Sequence, residues 1–279
     1  MAAQPDAGEA LALEKQGHLL DALRNAGPLL VALSGGADSA YLAWAAQQAL
    51  GESALAVTAL SPSFSLHDRE QAEGFVRATR LRHEFIQTRE FANPLYVANN
   101  ADRCYHCKDE LFDCLDALAR DRGFRAVAYG INADDTSDFR PGHRAAQEHR
   151  VLAPLLDAAL SKQEIRLLSR RAGLPTWDRP ASACLASRVP YGTPVTPELL
   201  GKIDRAEAVL RSLGFFQFRV RAHGDLARIE LATAELARGL DPEVAKELAA
   251  RLKPLGFAFV TLDLEGYRQG SLNVLLPVK

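Results

Sequence analysis

Cysteine is scarce in this chain, with four in 279 residues. That is too few for the disulfide framework of a small secreted domain, and it points any close pair toward metal or redox chemistry. Long apolar runs are missing as well. No stretch approaches the ~20 residues that a membrane span needs, so no membrane association is expected. Charge of one sign is not in excess: 33 Lys and Arg against 35 Asp and Glu leave a net charge of -2. The chain as a whole is therefore no electrostatic trap for nucleic acid, although a local basic patch remains open. The opening residues "MAAQPDAGEALALEKQ" carry no basic segment followed by an apolar one, so no export signal is read there and a cytoplasmic location is expected. Internal repeats and low-complexity segments are absent from the pattern.

What is present is an ordinary globular composition, 48% hydrophobic and 24% charged, at a length that suggests roughly two domains. Residues 9–25 have helical apolar spacing and stop near Gly27-Pro28. "PLLVALSGG" reads as a short strand running into glycines, and "ADSAYLAWAAQQAL" as an alanine-rich helix closed by Gly51. The rhythm continues with "SALAVTAL" as strand, "HDREQAEGFVRATR" as helix, "HEFIQT" as strand, "KDELFDCLDALARDR" as helix and "FRAVAYG" as strand. Such alternation predicts an α/β fold, a parallel sheet with helices on both faces. "SKQEIRLLSRRAG" adds a helix opened by a Ser161/Glu164 capping box.

The expected organisation is an α/β domain over 1–175, a linker over 176–194 holding Pro180, Pro190, Pro194 and Cys184, and a small α+β domain over 195–279. In the last of these, "TPELLGKIDRAEAVLRSLG" reads as helix, "FFQFRVRAHG" and "LARIELA" as strands, "DPEVAKELAARLKPLG" as helix and "FAFVTLDL" as strand.

"SGGADS" lies where a strand gives way to a helix. Gly35 and Gly36 allow a sharp turn that brings backbone N–H groups to an oxyanion. The helix presents its positive end to the same place, and Ser34 and Ser39 add hydroxyl donors. A phosphate or pyrophosphate suits such a loop. No Gly-Lys-Ser/Thr follows, which excludes a Walker loop, and the Gly-x-Gly-x-x-Gly spacing of a dinucleotide fingerprint is absent. The plain alternative is a tight turn with Asp38 exposed in the first helical turn. The Ser-Gly-Gly-x-Asp-Ser pattern resembles the PP-loop of ATP pyrophosphatases, which implies a Rossmann-like domain that splits ATP between its α and β phosphates, with Asp38 helping to hold Mg²⁺.

Four further stretches, "RPASACLASRVPYG", "RCYHCK", "YGINADDTSDFRPG" and "ARIEL", carry a closer resemblance. With them the chain, from about residue 10 to its end, resembles the LarE-type sulfur transferases, which make the pincer nucleotide cofactor of lactate racemase. The resemblance implies an enzyme that adenylylates a carboxylate of a pyridinium dicarboxylate mononucleotide with ATP and Mg²⁺ and replaces the AMP with sulfur. It also implies a sulfide or sulfur-donor protein as partner and a homo-oligomer, while the slightly acidic chain argues against a nucleic-acid partner. Some members of the family sacrifice one cysteine at the position of Cys184. Others hold a [4Fe-4S] cluster on three, at the positions of Cys104, Cys107 and Cys184, and this sequence has all three. Three thiolates on four irons leave one iron open for hydrosulfide. A zinc site, a thioredoxin-like pair and a sacrificial Cys184 stay open as rival readings. Cys114 falls on the apolar stripe of its helix with Leu111, Leu115 and Leu118, so burial is expected for it.

Substrate contacts are sought elsewhere. Strand alternation puts Arg219, Arg221 and His223 on one face, with Phe216, Phe218 and Val220 as core on the other. Paired arginines suit phosphate, and the resemblance assigns Arg219 and Arg221 to the nucleotide phosphate and Glu230 to a metal or substrate contact, with Glu207 a weaker candidate. The solvated strand face is the bland alternative. Gly130, Asn132, Asp134, Asp135, Asp138 and Arg140 follow a predicted strand, at the carboxyl ends of the parallel strands, where α/β sheets bind ligands. Gly130 and Asn132 are expected at the nucleotide, and Asp134, Asp135 and Arg140 at the substrate, against the alternative of a solvated turn. Ser187 and Arg188 are placed to orient the Cys184 thiolate or contact phosphate.

Other functions compete. A tRNA thiolase would share the loop and the cluster, but no paired zinc-finger motifs or RNA-binding module accompany them. A PP-loop amidotransferase is disfavoured because residue 2 is Ala, so the usual N-terminal cysteine glutaminase is not expected, with ammonia-using relatives left open. A non-catalytic nucleotide-binding protein would bind ATP without turnover.

Overall fold

A computed structural model describes residues 6–137, 141–180, 183–268 and 270–275; Asp138 and Arg140 lie outside the described residues. In chain order the first elements are α1 (Ala7–Ala26), β1 (Leu29–Ala32), α2 (Ala37–Leu50), β2 (Ala54–Leu60), α3 (Leu66–Thr79), β3 (His83–Gln87) and the single turn α4 (Pro94–Val97). They continue with α5 (Arg103–Arg122), β4 (Ala126–Tyr129), α6 (Pro141–Glu148), α7 (Pro154–Asp157) and α8 (Lys162–Arg171).

The four strands form one parallel sheet in the order β3-β2-β1-β4. β1, β2 and β4 are nearly continuous apolar runs, as strands covered on both faces require, whereas β3 at the sheet edge, HEFIQ, is mostly half-buried. Alternate residues feed separate cores. Leu29, Val31, Ala54 and Ala56 join Leu19, Leu23, Tyr41 and Leu168 on one side. Leu30, Leu55, Val57 and Val127 join Phe112 and Leu115 on the other. Asp6 caps α1 by accepting the Glu9 N–H at 2.8 Å. The expected Ser161/Glu164 capping box opens α8, and Lys15 of α1 reaches Glu164 at 2.7 Å, tying the two helices together.

Contact density divides the chain into two units, one of Met1–Ser61, Asp68–Glu90 and Cys104–Ser182, the other of Pro62–His67, Phe91–Arg103 and Ala183–Lys279. The second contains α9 (Pro197–Ser212), β5 (Phe218–His223), β6 (Leu226–Leu231), α10 (Leu236–Gly239), α11 (Pro242–Leu252) and β7 (Phe259–Leu262). Its sheet runs β5-β6-β7, antiparallel across the first pair and parallel across the second. Pro62–His67 and Phe91–Arg103 join it through hydrogen bonds that their spacing in the chain does not announce. The Leu185 N–H donates to the Ser63 carbonyl, Gly192 to Asn99 and Val195 to Val97, all at 2.9–3.0 Å.

Three local expectations need correction. The helix expected from residue 108 starts at Arg103, because the segment contains no helix breaker and the Arg103 N–H already bonds back to Asn100. Cys104 and Cys107 are thus helical. Phe216 is not core but 78% exposed: its N–H and that of Gln217 bond the Glu235 carboxylate ahead of β5, while Phe215 and Phe218 fill the core. Cys114 is half-buried rather than buried, its thiol bonded to Glu110 and pushed up to about 11, chiefly by desolvation. No helix among the described residues is long and apolar enough to cross a membrane.

Candidate functional site

The strand order reverses between β1 and β4, and an open α/β sheet binds ligands in the crevice beyond the strand ends at that reversal. Both predicted loops emerge there. After β1, Gly35 adopts φ +76, which a side chain would resist. Gly36 caps α2 without any side-chain hydrogen bond, so the first turn of this 14-residue helix keeps its N–H groups for an anion. Ser39 lies inside the loop: its Oγ donates to the Gly36 carbonyl and accepts the Ser34 N–H, both at 3.1 Å, and lies 3.0 Å from Ser34 Oγ.

After β4, Gly130 backs directly onto α2. A Cβ there would stand 2.8 Å from the Ser39 Cα and N, so only glycine lets the two loops meet. Asn132 is buried and donates from Nδ2 to Asp38 Oδ2 at 3.1 Å. Its backbone N–H points at Asp135 Oδ2, and its Oδ1 accepts the Asp134 N–H at 2.9 Å. Asp134 in turn accepts the Lys162 N–H at 2.8 Å, closing the loop onto α8.

Asp38 is half-buried rather than exposed. Its Oδ1 is buried and has no hydrogen-bond partner among the described residues. Burial is the main reason its pKa lies above the ordinary Asp value, and Asp135 adds to this, whereas Lys162, Asn132 and Arg166 oppose it. A carboxylate oxygen left bare beside a second carboxylate is a ready ligand for a hard cation. Sequence reading missed the cations around this loop. Lys162 and Arg166 come from α8, and Arg179 bonds both the Gly35 carbonyl and Asp68. All three are far along the chain, and no local pattern marks them.

Cys104 and Cys107 are one helical step of three apart at the start of α5, which puts them on one face; Cys104 is exposed and Cys107 half-buried. Cys184, in the second unit, is exposed. Its backbone is held firmly: the carbonyl accepts Ser187 N–H at 3.0 Å, Ser187 Oγ–H at 2.8 Å and Arg188 Nη1 at 3.1 Å. Arg188 is buried and bidentate to Glu207, at 2.9 and 3.1 Å. Asn99 and Arg103, which sequence reading also passed over, support the same stretch. The Asn99 amide donates to the carbonyls of Pro190 and Thr193, and Arg103 donates to the Asn99 side chain and to the Ala186 carbonyl. Among the described residues no group of three or more His, Cys, Asp or Glu side chains is arranged to hold a metal ion.

The strand face of Arg219, Arg221 and His223 is not the row of solvated charges offered as the bland alternative. Arg221 is buried, donating to Glu230 at 2.8 Å, to the Ser187 carbonyl at 2.9 Å and to Ser271 at 3.0 Å. Glu230 is fully buried and also accepts from Arg228 and Ser271, at 2.9 and 2.7 Å. Burial resists ionisation of Glu230, yet Arg221, Ser271 and Arg228 hold its carboxyl below the usual range. Arg219 lies over the Tyr267 ring, 5.0 Å from its centre. Ser187, Arg188, Arg221 and Glu230 are thus one connected network, anchored to the backbone beside Cys184.

No family model matches the chain. An uncharacterised protein of Synechocystis sp. is 45% identical over 247 residues, 88% of this chain and 92% of that protein. An uncharacterised protein of Methanocaldococcus jannaschii is 30% identical over 172 residues, 62% of this chain and 66% of that one. The pyridinium-3,5-bisthiocarboxylic acid mononucleotide synthase of Lactiplantibacillus plantarum is 35% identical over 266 residues, 93% of this chain and 94% of the synthase. A match of that extent runs through the glycine loop, the cysteine segments and the arginine strand alike, and the chain belongs to the LarE family of that synthase.

Proposed function

We propose that the protein is an ATP-dependent sulfur transferase acting on a pyridinium dicarboxylate mononucleotide in the making of a nickel-pincer cofactor. The observation that carries the ATP half is the bare, buried Asp38 oxygen beside an uncapped helix N-terminus and a glycine loop. A substrate carboxylate oxygen attacks the α-phosphorus of ATP, pyrophosphate leaves, and an acyl adenylate forms. A hydrosulfide then attacks the carboxyl carbon and AMP departs, leaving a thiocarboxylate. AMP is a far better leaving group than oxide, which is why ATP is spent. The loop N–H groups stabilise the departing pyrophosphate. Asp38 is the residue that would hold Mg²⁺, which supplies charge neutralisation there.

The donor set suits an iron–sulfur cluster: Cys104 and Cys107 on one helical face and Cys184 exposed on a pinned backbone would hold [4Fe-4S], which supplies an open iron for hydrosulfide. Arg219 would face the substrate phosphate, whereas Arg221, buried and bonded to Glu230, Ser271 and the Ser187 carbonyl, would hold the strand in place.

The test is anaerobic incubation with ATP, Mg²⁺ and the pyridinium mononucleotide, following AMP, pyrophosphate and thiocarboxylate. Release of AMP stimulated only by unmodified tRNA would favour a tRNA thiolase instead. Intact mass after turnover separates the sulfur routes: loss of one H₂S at Cys184 means sacrifice, and an unchanged chain with iron and acid-labile sulfide means the cluster.

A further inference from the structure

Two adjacent glycines make a loop that bends readily, and that freedom is a liability for anion binding. The peptide joining Gly35 to Gly36 can flip at little steric cost. One orientation aims the Gly36 N–H at the ligand, and the other aims the Gly35 carbonyl, whose dipole repels phosphate oxygens. Because a trans peptide is planar, its C=O and N–H point in opposite directions, so whatever holds the carbonyl also sets the N–H.

The structure holds that carbonyl with one side chain. Arg179 donates from Nη1 to the Gly35 carbonyl and from Nη2 to Asp68 Oδ1 at 2.8 Å. Both Arg179 and Asp68 side chains are largely buried, 12% and 13% exposed. Arg179 is itself fixed through its backbone: its N–H bonds the Thr176 carbonyl at 3.2 Å, and its carbonyl accepts from Arg166 at 2.8 Å. On the far side of the peptide the Gly36 N–H faces Ser34 Oγ at 3.5 Å, inside the loop. A Cβ on Gly35 would stand 3.3 Å from Arg179 Nη1, so the guanidinium packs against the glycine as well as bonding it.

We infer that Arg179 is a positioning residue for pyrophosphate, latching the Gly35 carbonyl outward so that the Gly36 N–H faces the bound anion. It acts through the loop and need not touch the ligand. A planar guanidinium can bridge a carbonyl and a carboxylate at once, whereas a single ammonium lacks that fork. The inference rests on the nucleotide reading above and adds a residue to it.

Calorimetric titration of the full chain with Mg-ATP, inorganic pyrophosphate and AMP tests it, using wild type, Arg179→Gln and Arg179→Lys. Both variants should lose about tenfold or more in affinity for ATP and pyrophosphate, the weight of one charge-assisted hydrogen bond. AMP affinity should stay within about twofold by the same measure. Thermal unfolding of Arg179→Lys, which keeps the charge beside Asp68, checks that the fold is intact if Arg179→Gln does not fold. Equal pyrophosphate affinity in wild type and Arg179→Lys overturns the latch, and so does a parallel loss of AMP, which would mark general damage. Failure of wild type to bind ATP or pyrophosphate overturns the nucleotide reading first, and the latch with it.

Discussion

Replacing Glu207 with Gln should loosen the second unit and free the backbone beside Cys184. Both members of the Arg188–Glu207 pair are 4% exposed, and the contact is bidentate at 2.9 and 3.1 Å. Glu207 also accepts the Val220 N–H at 3.2 Å, tying α9 to β5. Gln keeps the shape and removes the charge, so Arg188 stays buried without the Glu207 carboxylate while keeping its bonds to the Ala183 and Cys184 carbonyls and Ser187 Oγ. Breaking a buried pair on one side costs about 3–5 kcal/mol. The retained acceptors put the expected loss at the lower end, about 3 kcal/mol, or roughly 10 °C in the unfolding midpoint.

The pH dependence has a definite sign. Burial opposes ionisation of Glu207, but Arg188, Arg219 and the Val220 N–H outweigh it and hold the carboxyl below its ordinary value. A depressed carboxyl stabilises the fold above the unfolded pKa of about 4.3 and loses that contribution as pH falls through the folded value. The gap between wild type and Glu207→Gln in urea unfolding should be full at neutrality and narrow below the unfolded pKa. Arg188→Met with Glu207→Leu, an apolar replacement of the whole pair, should regain most of the stability while sulfur transfer stays impaired, because the Cys184 carbonyl has lost its guanidinium. A loss under about 1 kcal/mol at neutral pH for Glu207→Gln, or one that does not change with pH, would refute this reasoning.

Gly130→Ala should abolish tight ATP binding by calorimetry and cost about 1–3 kcal/mol in unfolding, because its Cβ meets the backbone of Ser39. Asp38→Asn should remove the Mg²⁺ dependence of ATP binding while leaving the unfolding midpoint unchanged or raised, since a bare buried carboxylate is replaced by a neutral amide. Asn99→Ala should destabilise the second unit by about 2–3 kcal/mol in chemical denaturation: it takes the amide donor from the Pro190 and Thr193 carbonyls, of which Pro190 keeps only the Thr193 N–H, and it puts Ala at φ 56. Ser161→Ala should cost about 1 kcal/mol in thermal unfolding with no change in ATP affinity, because the cap serves α8 alone.

Much of the first sheet was legible because its signals are local. A strand buried on both faces must be largely apolar, and β1 and β2 are, with Thr58 alone polar and bonded to the Leu33 carbonyl. A sharp phosphate loop needs glycine, and Gly35 sits at positive φ. The capping box of α8 appears in the residues themselves. The second unit's order of elements could be read for the same reason, since period-2 and period-3.6 patterns survive in a single sequence. Phe216 shows the limit: alternation placed it in the core, but the Glu235 carboxylate captures the chain before β5 begins.

The parts that resisted reading are partnerships between distant positions. Arg179 finds the Gly35 carbonyl across 144 positions, and Asn99 finds Pro190 across 91. Glu207 could be seen on a helix, but not that Arg188 would meet it in a dry interior. Order along the chain dictates which backbone shapes each segment favours, because those preferences act between near neighbours. Which charge is buried against which, and which carbonyl is held outward, is decided only when packing removes water and each polar group must find its partner in space.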